Sequence, residues 1–303
     1  MWRKNRSTKA TRSLLWITLP PRKPPMKSAI LIGMLASAIP VAIFSVGPLR
    51  AADVADANAE HPLTEEEKMQ EALHRFAAVL EVPSKSKLAP NPPVEVRFDN
   101  ACTALEKGLE MPPGSLRQKL PPLAEQLLKD PDTAALDRAS ALFVTGKYAD
   151  AETVALRIPT DGKALELAGR CDMQLGDTDH ALIHFRSAAA LVNQQRAPLD
   201  WVGIQRDIAV VLLNMGHLDE AESTWRRVLS TQLANLHAEH TDILNTRSVL
   251  AYTLSREGKF GDAAAQLREI LTALEKTRGP EDVDTKIARQ NYERMLKASG
   301  GRP

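Results

Sequence analysis

Two histidines, His180 and His184, have the type and spacing that best suit metal chelation in this 303-residue chain. Imidazoles four residues apart share one face of a helix, where they can hold a divalent ion, and Asp179 lies beside them. The pair flanks Ala181, however, and the neighbouring Phe185 is expected to face the core. Both imidazoles should therefore face solvent, and we predict neither a metal site nor a cofactor.

Other reactive residues do not form an enzyme signature. His237 and His240, in "HAEH", lie near a predicted connection between repeats and have the same interpretation. The sequence has no P-loop, no glycine-rich dinucleotide motif, no GxSxG and no HExxH. Cys102 and Cys171 form no CxxC pair, and two separate core thiols are favoured over one disulfide. We predict no catalytic residues and a non-enzymatic protein.

Composition indicates an all-α fold for the elements that carry these residues. The chain is 44% hydrophobic and 25% charged, with only 4% aromatic residues. Many small residues and few aromatics suit closely packed helices better than a β-sandwich. Residues 1–57 hold nine Lys/Arg and two Asp/Glu, which leaves 30 basic and 36 acidic residues in the remainder. A mildly acidic body predicts no binding to nucleic acid.

The N-terminal 57 residues have the pattern of a targeting signal. Lys27 follows Met26, and an apolar run then extends over residues 29–47 before small residues appear. This order matches the three regions of a secretory signal peptide, and a true start at Met26 would explain the basic stretch before it. We predict export to the periplasm or the extracellular space. The alternative is an uncleaved membrane anchor through residues 29–47.

Three further segments follow this signal. Residues 58–82 predict an amphipathic helix that begins with a capping box of Thr64 and Glu67. Residues 83–130 predict a proline-rich linker and two short helices, with breaks at "MPPGS" and "LPP". Residues 131–303 form the main body, whose first helix we expect Asp132 to cap.

Four segments of the main body repeat one pattern. Each has a glycine, a larger side chain two residues later, an alanine five residues later and a small residue seven residues earlier. The glycines are Gly146, Gly176, Gly216 and Gly258, and the earlier small residues are Ala139, Gly169, Ala209 and Ala251. A glycine can end one helix in the left-handed conformation, and small residues let two helices approach closely. The pattern predicts four hairpins, each of a helix A and a helix B.

This pattern resembles the tetratricopeptide repeat, in which small residues mark the contact between helices A and B. The resemblance covers roughly residues 132–303. The last glycines, including Gly300, are 42 residues apart, so the C-terminal part resembles kinesin-light-chain-like repeats with a longer helix B. "RIPTDG" shortens the first helix B, and Glu293 suits a solvent-facing final helix. The resemblance implies an all-α, right-handed superhelix of helix hairpins with a helical N-terminal region.

The resemblance also implies a binding surface on the concave side, which the A helices form. In this register we predict partner-binding residues at Arg170, Arg206, Asn214, Tyr252, Arg256, Arg294 and Lys297. The basic side chains could bind carboxylates, the tyrosine offers a rigid contact, and the asparagine could bond a peptide backbone. The expected partner is a protein or peptide with acidic character.

Three functional hypotheses remain open from the sequence. The first is an exported scaffold that captures a protein segment on the concave face. The second is self-association, in which the helix of residues 58–82 fills the groove of its own chain or of a neighbour's, giving a homo-oligomer. The third is an accessory subunit of a cell-envelope enzyme. A size measurement after deletion of residues 58–82 separates the first two.

Overall fold

The structure, a computed structural model, describes residues 63–82 and 92–300. These residues form twelve α-helices and no strand, which confirms the predicted all-α class. The helices are α1 (Glu65–Val79), α2 (Val94–Gly108), α3 (Ser115–Lys129), α4 (Ala135–Val144), α5 (Tyr148–Ala155), α6 (Gly162–Leu175), α7 (Thr178–Leu191), α8 (Pro198–Met215), α9 (Leu218–Asn235), α10 (Thr241–Arg256), α11 (Phe260–Arg278) and α12 (Val283–Ala298).

Helices α4 to α11 form the four predicted hairpins, and each helix packs against the next along the chain. The A helices are α4, α6, α8 and α10, the B helices are α5, α7, α9 and α11, and α12 packs on α11. The glycine at each turn has a φ between 75° and 82°. An added Cβ at Gly216 would meet nothing within 4 Å. Glycine is therefore needed here for its left-handed backbone conformation and not because a side chain would clash.

Small residues lie where helices A and B approach most closely, as predicted. Ala139, Ala209 and Ala251 are buried at this contact. In the second hairpin the contact is tighter, because a Cβ on Gly169 would lie 2.8 Å from the ring of Phe185. Real Cβ atoms do not approach a ring so closely, and the glycine therefore permits this helix spacing.

The hairpins differ in length as the sequence indicated. Helix α5 has 8 residues, whereas α9 has 18 and α11 has 19. The long B helices bury large side chains, among them Trp225 and Leu267, between neighbouring repeats. Glu293 on α12 is exposed, as predicted. Among the described residues, no further helix packs against the face of α12 that carries it.

The N-terminal region confirms one local prediction and corrects two. Thr64 and Glu67 form the capping box of α1. The "LPP" break is wrong, because α3 continues through two prolines, and the exposed carbonyls that lose their donors can bond water. The Asp132 cap is also wrong: α4 begins after Ala134, and Asp132 instead donates its backbone N–H to Asp130.

The signal segment of residues 1–57 and its apolar run lie outside the described residues, so export and anchoring stay predictions. Among the helices of residues 63–82 and 92–300, none combines the length and apolar character that a membrane span requires.

Candidate protein-binding groove

Helix α1 lies against the A helices of the first two hairpins. It packs on α2, α3, α4 and α6 and buries one apolar face, on which Phe76 contacts Phe98 with 5.0 Å between ring centroids. Two polar contacts tie the helix to α4. The His74 Nε2 lies 2.6 Å from an Asp137 carboxylate oxygen, and the Gln70 amide donates to the same oxygen at 2.9 Å. Helix α1 thus covers part of the face that the chain's own A helices form.

The C-terminal end of α1 and the two residues after it are held by side chains that bind main-chain carbonyls. Arg170 Nη1 donates to the Ala77 carbonyl at 3.2 Å, and Gln174 Nε2 donates to the Glu81 carbonyl at 3.3 Å. Arg97 of α2 donates to the same Glu81 carbonyl at 2.8 Å. The last carbonyls of a helix have no partner within it and form the negative end of its dipole. Cationic and amide donors at this place therefore stabilise a docked helix end.

Arg170 is fixed by two carboxylates as well as by α1. Its Nη2 lies 2.8 Å from Glu166 and 2.6 Å from Asp207 of α8, and the Arg170 and Asp207 side chains are 15% and 20% exposed. An open pocket with an empty volume of about 310 Å³ begins here, lined by Ala77, Val82, Arg170, Met173, Gln174, Phe185, Asp207 and Val210. The pocket marks where α1 ends and the exposed A helices continue.

We name the side of α4, α6, α8, α10 and α12 on which α1 lies the helix A groove. Relative to the turn glycines, the position of Arg170 recurs as Val210, Tyr252 and Arg294. The position of Gln174 recurs as Asn214 and Arg256. The two positions that hold α1 in the second repeat thus carry donors again at Asn214, Tyr252, Arg256 and Arg294, whereas Val210 in the third repeat is apolar.

The seven predicted binding residues fall into two groups. Arg170 is engaged with α1 and its carboxylates, so this guanidinium has intramolecular partners and is not an open binding residue. Arg206 is half-buried on α8, while Asn214 of α8 and Arg294 and Lys297 of α12 are exposed. The structure brings Tyr252 and Arg256 together, with the guanidinium carbon 5.9 Å from the ring centroid. This cation–π pair presents a rigid, basic surface on α10.

The solvent-facing prediction is wrong for His184. The His184 side chain is buried, and its Nδ1 lies 2.7 Å from an Asp172 carboxylate oxygen on α6. His180 instead pairs with Asp177, the N-cap of α7, at 2.9 Å. Burial raises the pKa of Asp172, and the hydrogen bond with His184 opposes that shift. The sequence signal was present: Asp172 stands where the other three repeats carry a buried leucine.

Other candidate groups have structural roles. His240 is buried and caps α10 by accepting from the Asp242 backbone N–H, whereas His237 is exposed. Cys102 and Cys171 are separate, buried thiols, as the favoured interpretation predicted. Burial raises the pKa of Cys102 to about 12, so this thiol stays protonated and is a poor nucleophile.

Comparisons with known proteins found one family match and two similar crystal structures. A family model described as "Tetratricopeptide repeat" matches residues 244–269, which cover most of α10 and the start of α11. No curated protein matches the chain. Two crystal structures similar to it contain the nearly identical TPR-like repeats of a candidate kinesin light chain from Podosopora anserina. Each has 17% identity and a TM-score of 0.46, covers 59% of this chain, and is itself covered to 87% or 88%.

The assignment follows from the chain's own helices and from the matched repeat. Each of the four hairpins has a left-handed turn glycine and buried small residues at the contact between its helices. Residues 244–269 thus match the tetratricopeptide-repeat family, and the described residues form an all-α stack of helix hairpins.

Proposed function

We propose that this protein is an exported, non-enzymatic scaffold that binds a protein segment in the C-terminal half of its helix A groove. Tetratricopeptide repeats are typically scaffolds for protein–protein contact. The observation that carries the proposal is the docking of α1, where Arg170 binds a carbonyl in the last turn of the helix and Gln174 binds one just after it. The same two positions continue into α8, α10 and α12, beyond the point at which α1 stops.

The chemistry of the groove favours an amphipathic helix with acidic side chains. Arg206, Arg256, Arg294 and Lys297 supply positive charge, and planar guanidinium groups suit carboxylates. Tyr252 offers a flat apolar contact between these charges. The helix that the groove already holds has this character, because α1 is amphipathic and its first turn is Glu65, Glu66 and Glu67.

Export is the part of the proposal that depends on sequence alone. The basic residue at Lys27, the apolar run of residues 29–47 and the small residues after it support a secretory signal. Fractionation of cells that make the chain, with mass spectrometry of the mature N-terminus, tests it. A mature chain that begins between residues 50 and 60 outside the cytoplasm supports export. An intact N-terminus in the cytoplasm contradicts it.

A site-specific crosslinking experiment tests the groove. A photoreactive residue is placed at Ser248, which occupies the position in α10 that Glu166 occupies in α6, and the control probe is at the exposed Thr272 of α11. We expect Ser248 to capture a defined protein in living cells, with the crosslink in an acidic amphipathic segment. Equal capture by both probes would remove the groove from the proposal.

A charge-matched pair of variants makes this test specific. The groove variant carries Tyr252→Ala, Arg256→Ala and Arg294→Ala, and we expect it to lose the Ser248 crosslink. The control carries Arg186→Ala and Arg268→Ala, which remove two exposed arginines from the B helices α7 and α11. It should keep the crosslink. Circular dichroism and thermal melting establish that both variants are folded.

Self-association is a second candidate because the contacts of α1 could also be made by a second copy. In the structure, α1 lies on its own chain through Phe76, Arg170 and Gln174. Exchange of this helix between two chains would keep every contact and give a dimer. Light scattering of the chain with and without residues 58–82 tests this: a dimer that becomes a monomer supports exchange, and a monomer in both cases contradicts it.

A further inference from the structure

We infer that Glu152, Asp172 and His184 form a binding site for a divalent transition-metal ion of the zinc type. The three side chains come from three successive helices, α5, α6 and α7. Their exposed fractions are 7%, 0% and 4%. One potential ligand atom from each lies within 4.8 Å of the other two. They lie inside the stack of the first two repeats, apart from the helix A groove.

The other repeats show that the fold does not need a carboxylate at the position of Asp172 or an imidazole at that of His184. At the position of Asp172 relative to the turn glycine, the other repeats carry Leu142, Leu212 and Leu254, all buried. At the position of His184 they carry Val154, Thr224 and Gln266. A leucine suffices for packing here, and a buried carboxylate carries a desolvation cost that leucine avoids. The Asp172–His184 pair is thus specific to the second repeat and calls for a role beyond packing.

The distances are close enough for coordination once the side chains adjust. Zinc bonds to carboxylate oxygen and imidazole nitrogen are about 2.0–2.2 Å long, so neighbouring ligand atoms of a tetrahedral site are about 3.4 Å apart. The His184 Nδ1 and Asp172 oxygen are 2.7 Å apart, and the Glu152 oxygen lies within the 4.8 Å limit of both. Side-chain movements of up to roughly 1.4 Å, the difference between the 4.8 Å limit and the tetrahedral spacing, would equalise these spacings.

The donor set also suits the charge of such an ion. Two carboxylates and one neutral imidazole carry a charge of −2, which a divalent cation neutralises. Oxygen and nitrogen donors together favour zinc or a related first-row ion over calcium, which prefers oxygen alone. Three protein ligands leave a fourth position for water. The bound ion would connect helix B of the first repeat to both helices of the second.

Calorimetric titration of the chelator-treated full chain with zinc chloride tests the inference. We expect saturable binding of one ion per chain and a rise in the thermal midpoint when the ion is present, because an ion that binds only the folded state stabilises it. Asp172→Leu, which restores the residue of the other repeats, should remain folded and lose binding. The zinc affinity of this variant should fall by more than about 10-fold. Loss of a residue that only supports a metal ligand already costs at least that much, so loss of a ligand should cost more.

Two further variants keep the test decisive. Glu152→Gln changes one oxygen to nitrogen with little change in shape, and it should weaken binding even if Asp172→Leu were to unfold. His180→Gln is the matched control, since this imidazole pairs with Asp177 outside the cluster. Zinc binding that survives Glu152→Gln, or that is lost with His180→Gln alone, would overturn the site. The absence of saturable binding to the wild type would do so directly.

Discussion

The second and fourth repeats represent the two halves of the helix A groove. Both carry hydrogen-bond donors at the same positions, but these donors bind different groups. In the second repeat, Arg170 and Gln174 hold the end of α1, and Asp207 and Glu166 neutralise the arginine. In the fourth repeat, Tyr252 and Arg256 contact each other at the surface. The first half is therefore part of the folded core, whereas the second half is more exposed among the described residues.

This contrast separates stability from binding. Substitutions in the occupied half should lower the free energy of unfolding, because they remove buried contacts. Substitutions in the open half should leave stability nearly unchanged and affect partner capture. The following predictions test that separation from the largest expected effect to the smallest.

Phe76→Ala should have the largest effect, because it removes a fully buried ring between α1 and α2. We expect a loss of about 3–5 kcal/mol in the free energy of unfolding. Urea denaturation gives the magnitude, and hydrogen exchange should show faster exchange in α1 and α4 than in α10 and α11. Ala78→Gln, at an exposed position of the same helix, is the control and should change stability by no more than about 0.5 kcal/mol.

Arg170→Ala and Arg256→Ala compare the two halves directly. Loss of Arg170 leaves one carbonyl and two carboxylates without this partner in a partly buried place, and we expect a cost of about 3 kcal/mol, the lower end for a broken buried pair. Loss of Arg256 should cost no more than about 0.5 kcal/mol. Equal costs in denaturation measurements would mean that the two halves do not differ as described.

Gly169→Ala tests the close approach of α6 and α7 beneath the groove. A Cβ would meet the Phe185 ring at 2.8 Å, and overpacking of this kind costs about 1–3 kcal/mol. Gly203→Ala is the matched control in α8, where a Cβ would meet nothing within 4 Å. It should stabilise the protein by up to about 1 kcal/mol, because alanine is the better helix former. Thermal melts of the two variants should therefore shift in opposite directions.

Glu222→Gln should have the smallest effect and should depend on pH. Hydrogen bonds from Lys259 lower the pKa of Glu222 to about 2, and this pair links the third and fourth repeats. A lowered pKa in the folded state adds stability above the unfolded pKa of about 4.3, and this contribution is lost as the pH falls through about 2. We expect a difference of no more than about 1 kcal/mol at pH 7, because the pair is solvent-exposed on the lysine side.

The control for this pair is Glu269→Gln on α11, an exposed carboxylate whose nearest basic partner is 3.9 Å away. Its stability should match the wild type across the same pH range. A Glu222→Gln difference that grew as the pH fell from 5 to 3 would have the wrong sign and would contradict the assigned cause.

The repeated hairpins were predictable because their physics is local. A glycine that must adopt a positive φ, and a small residue seven positions before it, leave a signal in the sequence at each turn. The docking of α1 on the A helices left no such signal in the sequence, since Arg170 binds a main-chain carbonyl 93 residues away in the chain. His184 was misplaced for a related reason: its partner, Asp172, lies on the facing helix, and spacing within one helix cannot reveal it.

The hydrogen bonds at the end of α1 are accepted by main-chain carbonyls. A mutation of a side chain in α1 therefore does not remove their acceptors. Arg97, Arg170 and Gln174 bind the carbonyls of residues 77 and 81, which any amino acid would supply. The exposed positions of α1 can therefore vary freely in related sequences, provided that the segment stays helical and keeps its apolar face. The three donors cannot vary in the same way. Differences in the sequence of α1 between related proteins should consequently not indicate whether the helix docks on the A helices.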